Sequence, residues 1–244
     1  MKKNYGLIGN SLSHSFSKKY FESKFLQHKI EANFENYECL NLDEVAKLLR
    51  RKDIAGLSVT IPYKTALMPL LSDLDESAKQ VGAVNCIKFI GDKRIGFNTD
   101  VFGFEQLIKP FFEAHHERAM ILGTGGASKA VAFVLESLGV DVIYISRHPK
   151  KGDEYLYQDI NEKMMAYHGI LVNTTPVGTF PNVHDCPEIP YEFLTSKHLL
   201  IDLVYNPKET EFLKNGKAQG VVVINGETML HQQAERAWQI WNDL

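Results

Sequence analysis

Short apolar runs alternate with longer amphipathic stretches along most of the 244-residue chain. In the first hundred residues "NYGLI", "ANFENYEC" and "AGLSVT" read as strands, and helices are expected from Ser17, from Leu42 and after Pro62. The stretch "VNCIKFIGDKRIGFN" reads as a hairpin turning at "GDKR". A long helix, "VFGFEQLIKPFF", follows Asp100, and the alternation then restarts with the strand "AMIL". A helix from Ala127 to Leu138 places Ala130, Val131, Val134 and Leu138 on one face, and "VDVIYIS", "GILVNTT", "LLIDLV" and "VVVI" read as further strands. The closing helix, Glu227 to Trp241, carries Leu230, Ala234, Ala237 and Trp241 as its apolar stripe. Strands alternating with helices predict an α/β fold of mostly parallel sheets covered on both faces. The restart near Val101 divides the chain into two domains. Residues 1–100, joined by a C-terminal helix at 226–244, form a mostly parallel α/β domain, and residues 101–225 a doubly wound one.

Composition and charge narrow the function classes. With 44% hydrophobic and 23% charged residues the chain is ordinary globular protein, and its net charge of −3 lacks the basic excess that a nucleic-acid backbone requires. No apolar run approaches the roughly 20 residues of a membrane span, and the amino-terminal stretch lacks the apolar core of a signal peptide. The expectation is a cytoplasmic protein with neither membrane nor nucleic acid as partner. Cysteines 39, 86 and 186 and nine dispersed histidines signal neither a disulfide framework nor a metal site.

"AMILGTGGASKAVAFVLESLG" carries the cofactor chemistry. A buried strand enters Gly123-x-Gly125, and a helix opens at Gly126 with unpaired N–H groups and the positive end of its dipole, an arrangement that accepts a pyrophosphate. Ser128 stands at the third position of the fingerprint, where a small side chain still permits close packing. The next strand ends in Ser146 and Arg147, with Lys150 and Lys151 beyond, where an NAD site places an acid for the ribose hydroxyls. Cations there favour a 2′-phosphate, so NADP is expected over NAD; a solvated basic loop is the alternative.

In the first half, polar side chains fall at the ends of predicted strands: Ser13, Ser15 and Ser17, then "LSVTIPYK", then "VNC" and "NTD". Ligands collect at the carboxyl ends of strands in open α/β sheets, so these residues can share one cleft. Ser15 and Ser17 at a helix start offer donors to an anion, although N-capping accounts for either alone. Lys64 taken by itself reads as a solvent-facing lysine, and Asp100 doubles as a candidate N-cap.

"GNSLSHSFS", "LSVTIPYK", "VGAVNC", "GFNTDVFGF", "LGTGGASKAV", "VNTTPVG", "IDLVYNPKETEFL" and "NGETMLHQQA" occur in order along nearly the whole chain, and together they resemble the shikimate dehydrogenase family. That resemblance implies reversible, NADPH-dependent reduction of 3-dehydroshikimate to shikimate on a substrate domain paired with a Rossmann-type NADP-binding domain. It further implies that Ser15 and Ser17 bind the substrate carboxylate and that Thr60, Asn85, Asp100 and Gln233 bind ring hydroxyls. Lys64 is then the catalytic lysine with Asp100 as its partner, and Tyr205 lies near substrate. The implied cofactor set is Gly123, Thr124, Gly125, Gly126, Ala127, Ser128, Ser146, Arg147, Lys151, Thr174 and Gly226. The sequence departs from the family pattern at Lys18, at Ser58 and at Ser146-Arg147-His148. The expected assembly is a monomer or homodimer. Two rival readings stay open at this point, a lyase in which Lys64 forms a Schiff base and a nucleotide sensor without turnover.

Overall fold

A computed structural model describes residues 2–13, 15–150 and 152–243. Its contacts divide the chain into two compact units, Met1–Thr99 with Gln233–Leu244, and Asp100–Gln232. Asp100, expected at the end of the first domain, clusters with the second unit, and the second division falls inside the last helix rather than at 226.

In the first unit the elements are β1 (Lys3–Gly9), α1 (Phe16–Gln27), β2 (Ala32–Glu38), α2 (Leu42–Leu49), β3 (Ile54–Val59) and the single turn α3 (Tyr63–Ala66). The short strand β4 (Asp73–Leu74), α4 (Glu76–Val81), β5 (Cys86–Ile90) and β6 (Lys93–Phe97) follow. The sheet order is β2-β1-β3-β5-β6-β4. Only β5 runs against the rest, because Gly91 at φ +55° and Asp92 turn it directly back into β6. Side chains alternate between two cores. Ile8, Leu57, Val59 and Ile87 face Val45, Leu48 and Ala78 from α2 and α4, whereas Tyr5, Leu7, Phe34 and Cys86 face Phe21 and Phe25 of α1.

The second unit holds α5 (Asp100–Ile108), β7 (Arg118–Leu122), α6 (Gly126–Ser137), β8 (Asp141–Ile145), β9 (Glu154–Tyr155), α7 (Glu162–Tyr167) and β10 (Ile170–Asn173). It continues with β11 (Leu199–Asp202), α8 (Glu211–Ala218), β12 (Val222–Asn225) and the start of α9 (Glu227–Asn242). Every pairing in the order β12-β11-β10-β7-β8-β9 is parallel. Counted within the unit from the far edge, that is 3-2-1-4-5-6, the doubly wound order of dinucleotide-binding sheets. Strand order reverses between β7 and β10, so the glycine turn after β7 opens at the switch point. Ala119, Ile121, Ile170 and Val172 face α5 and α6, and Met120, Leu122, Leu171 and Leu200 face Phe212 and Leu213 of α8.

Two expectations are corrected here. Helix α5 stops at Ile108, short of the expected "KPFF", because Pro110 supplies no N–H to continue it. Leu138 does not belong to the buried stripe: Gly139 at φ +80° ends α6, and Leu138 caps it with 41% of its surface exposed, while Leu135 takes the core position. No helix among the described residues is long and apolar enough to cross a membrane.

Candidate active site

Register brings polar residues from distant segments of the first unit to one edge of its sheet. Strands β1 and β3 are parallel and end together, with Thr60 N donating to Ile8 O at 2.9 Å. Because β5 runs the other way, Cys86 lies opposite Ser58, and Asn85 just before it reaches the same edge, its carbonyl accepting from Val59 N at 2.8 Å. Strand β6 returns with Phe97 opposite Cys86 and leads to Asn98, Thr99 and Asp100. The single reversed strand thus adds its amino end to the carboxyl ends of the others.

Asn85 has a defined orientation at this edge. It is 3% exposed, and its Oδ1 accepts from Thr99 N at 2.6 Å and Thr99 Oγ1 at 3.2 Å. A backbone N–H can only donate, so the amide orientation is fixed and Nδ2 faces Gln233, donating to Oε1 at 3.0 Å. Gln233 therefore has its oxygen committed and its nitrogen left as the donor it can offer. Thr60 and Lys64 are half-buried beyond β3, with Lys64 in α3, whose carbonyl accepts from Val84 N at 2.7 Å. Ser15 is the N-cap of α1, its hydroxyl accepting from Lys18 N at a long 3.4 Å, and Ser17 lies in the first turn without a capping role. Asp100 opens α5 and is 3% exposed.

The second unit presents main chain instead. Helices α2, α4, α7 and α8 are capped by side chains of Asn41, Asp75, Asn161 and Thr210, but α6 starts at Gly125 with no side-chain cap. A Cβ at Gly125 would meet nothing within 4 Å, so the helix start is open in front. Gly123 has φ +105°, and a Cβ there would lie 2.9 Å from both Thr174 Oγ1 and Thr175 Cγ2. Thr124 is exposed, Gly126 and Ala127 are half-buried, and Ser128 is 1% exposed with Oγ donating to Gly125 O at 2.6 Å. Thr174 Oγ1 donates to Leu122 O at 2.7 Å, which spends its proton inside the turn. Ser146 ends the β8 segment buried, its hydroxyl accepting from His148 N at 3.1 Å, and Arg147 next to it is exposed. Gly226 is buried, and a Cβ there would collide with the Leu203 carbonyl, so packing alone demands glycine. Tyr205 is half-buried, and burial raises its phenol above the ordinary value, keeping it neutral at pH 7. Lys151 lies outside the described residues.

Comparison with known proteins bears directly on this pair of edges. A family model described as the shikimate dehydrogenase substrate binding domain matches residues 7–87. The shikimate dehydrogenase (NADP(+)) of Clostridium beijerinckii is 38% identical over 248 residues, spanning 98% of this chain and 92% of its own. The chain belongs to the shikimate dehydrogenase family. Two solved family members share the fold. Shikimate dehydrogenase 1 from Peptoclostridium difficile is 34% identical with a TM-score of 0.86, covering 99% of this chain and 92% of that one. A shikimate dehydrogenase in complex with NADP+ is 31% identical with a TM-score of 0.84, covering 100% and 91%.

The second unit fits the family's NADP. An uncapped twelve-residue helix behind glycines suits a pyrophosphate, and the β8 segment ends in Ser146 and Arg147, at the position where an acid would repel a 2′-phosphate. Sequence reasoning missed Thr99, which orients Asn85, and the buried trio Asn173, Asp202 and Thr210. The available signal was a polar residue closing each of two apolar strands, "ILVN" and "LLID".

Proposed function

We propose that the chain catalyses the reversible, NADPH-dependent reduction of 3-dehydroshikimate to shikimate, a step of chorismate and aromatic amino acid biosynthesis. The observation that carries this reading is the uncapped start of α6 at the switch point of a doubly wound sheet, in a chain alike to NADP-dependent shikimate dehydrogenases over nearly its full length. In this reading the first unit is the substrate domain and the second the NADP domain. The enzyme works in the cytoplasm as a monomer or homodimer, in keeping with three free cysteines.

NADPH, when bound, supplies the hydride that the ketone carbon receives. Gly123 to Ser128 with Thr174 and Gly226 cradle it, and Ser146, Arg147 and Lys151 hold its 2′-phosphate. Lys64 places an ammonium at the carbonyl oxygen, where it stabilises the developing negative charge and hands over a proton. Asp100 orients that ammonium and accepts from a ring hydroxyl. Asn85, with its Oδ1 occupied by Thr99, acts through Nδ2, and Gln233 acts through the amide nitrogen that the Asn85 pairing leaves outward. Thr60 binds a further hydroxyl. Ser15 and Ser17 donate to the carboxylate, helped by the amino end of α1. Tyr205, neutral, offers its phenol near substrate.

The direct test mixes the protein with NADPH and 3-dehydroshikimate and follows NADPH absorbance. Cofactor is expected to disappear only when substrate is present. No consumption under any ratio of the two refutes the reading.

A further inference from the structure

The carboxyl edge of the second sheet carries a buried polar cluster that the scheme above leaves without a role. Asn173 closes β10 and Asp202 closes β11; both are 0% exposed, and Thr210, the N-cap of α8, is 1% exposed. Asp202 Oδ1 accepts from Asn173 Nδ2 at 2.9 Å and Val204 N at 3.0 Å, while Oδ2 accepts from Thr210 Oγ1 at 2.6 Å. Asn173 Oδ1 accepts from Thr175 N at 3.1 Å and Thr175 Oγ1 at 2.6 Å, and its Nδ2 also reaches Val177 O at 3.3 Å. The segment after β10 is therefore wrapped around one asparagine, which is held by one aspartate.

The same aspartate brackets the segment that carries Tyr205, gripping it at Val204 on one side and Thr210 on the other. Thr174 and Thr175 in turn abut Gly123, so the bonds run without a break from the glycine turn to Tyr205. The hydrogen-bond partners of Asp202 named above are uncharged, and its charge adds to the burial that raises the Tyr191 phenol in the turn Tyr191–Phe193. Burial pushes the Asp202 carboxyl up to about 6, so folding favours its protonated form over the carboxylate. Acceptor count accounts for an acid at this position. Thr210 Oγ1 already accepts from Leu213 N at 3.4 Å as the cap of α8 and needs an acceptor for its own proton; a carboxylate supplies one while keeping a second oxygen for Asn173 and Val204.

We propose that Asp202 is a positioning residue that locks the segment after β10 to the segment carrying Tyr205, so that groups meeting cofactor and substrate within this unit move as one body. The functional half of this statement rests on the dehydrogenase reading; the coupling of the two segments does not.

The test compares D202A, D202N and T210V with the unaltered chain. In cofactor-free D202A, amide exchange at Thr175 and Val177 and at Val204 to Asn206 is expected to rise together, by about tenfold. Well below the unfolding temperature, kcat in D202A should fall about tenfold with a smaller change in KM, the sign of a misplaced group rather than a weakened fold. D202N keeps an oxygen for Asn173 and Val204 but removes the acceptor of the Thr210 proton, so it should restore protection at Thr175 and Val177 and recover only part of the kcat loss. Should D202A fail to fold, T210V decides: exchange should rise at Val204 to Asn206 and kcat fall about threefold. Exchange rising in only one segment of D202A, an unchanged kcat in D202A, or T210V unchanged in both readouts overturns the proposal. An unaltered chain without turnover sinks the dehydrogenase reading instead, and the exchange comparison then still decides whether Asp202 couples the segments.

Discussion

The two units each end a six-stranded, mostly parallel sheet in a polar edge, yet they finish that edge by opposite means. In the first, one reversed strand and a hairpin gather side chains, and those side chains orient one another through the Thr99, Asn85 and Gln233 chain. In the second, the edge is backbone: a glycine at φ +105°, an uncapped helix and a loop held from beneath by buried polar groups. The difference follows from what each would recognise. A small polyol is told apart by where its hydroxyls lie, which calls for fixed donors and acceptors of known sense. A pyrophosphate presents diffuse charge, which a helix start meets with N–H groups and no side chain at all.

Four substitutions probe that contrast. The largest effect is expected for K64A in the side-chain edge, a loss of turnover by about 10² or more with little change in substrate KM, read from NADPH consumption. Turnover equal to the unaltered enzyme would remove Lys64 from the chemistry. Next comes G125D in the backbone edge. Its φ of −83° and open surroundings accept the side chain, and the new carboxylate caps α6, so the unfolding temperature should hold or rise while KM for NADPH climbs by about tenfold or more. A fall in stability alone would show that the helix start is not an anion site. R147A should lower the preference for NADPH over NADH about tenfold and leave kcat with saturating NADPH unchanged, as measured by paired titrations with the two cofactors.

The most conditional effect is on stability. The Asp202 carboxyl rises from an ordinary 3.8 to about 6 in the folded state, so folding favours its protonated form. Its contribution is fully present below pH 3.8 and is lost as pH rises through about 6, a swing of about 3 kcal/mol. The unfolding temperature of D202N relative to the unaltered chain should therefore rise between pH 4 and pH 7. A difference that stays flat with pH would mean that the carboxylate is not desolvated as the structure has it.

Legibility in the sequence followed burial. Strands such as "AMIL" and "ILVN" could be read because both faces are covered and nearly every residue is apolar. The strand β4, two residues long, and the single turn α3 leave no period to detect. Helix α8 was missed because "FLKNGKA" interrupts its stripe with Asn215 and Gly216, although a Cβ at Gly216 would collide with Leu200 of the sheet. The end-of-strand rule pointed to Thr60, Lys64 and Asn85, since each follows or precedes an apolar run. It could not reveal that Asn85 takes its sense from Thr99, because that depends on a hairpin register rather than on spacing. The Asp202 hub was hidden for a related reason: its partners come from three segments, and each alone reads as an ordinary strand end or helix cap.

Trp241 has a bearing on biosynthesis. Its ring stacks on Tyr5 with centroids 5.0 Å apart, presses against Gly56, where any side chain would collide with it, and donates from Nε1 to Ile87 O at 3.1 Å. Yet it leaves the ribosome after the whole of Asp100–Gln232 has been made. Translation at about 5–20 residues per second leaves the amino-terminal unit with a vacant seat among its aromatic residues for on the order of ten seconds. The amino-terminal unit therefore cannot complete its aromatic core until the second unit has been synthesised, so the earlier-made unit waits on the later one.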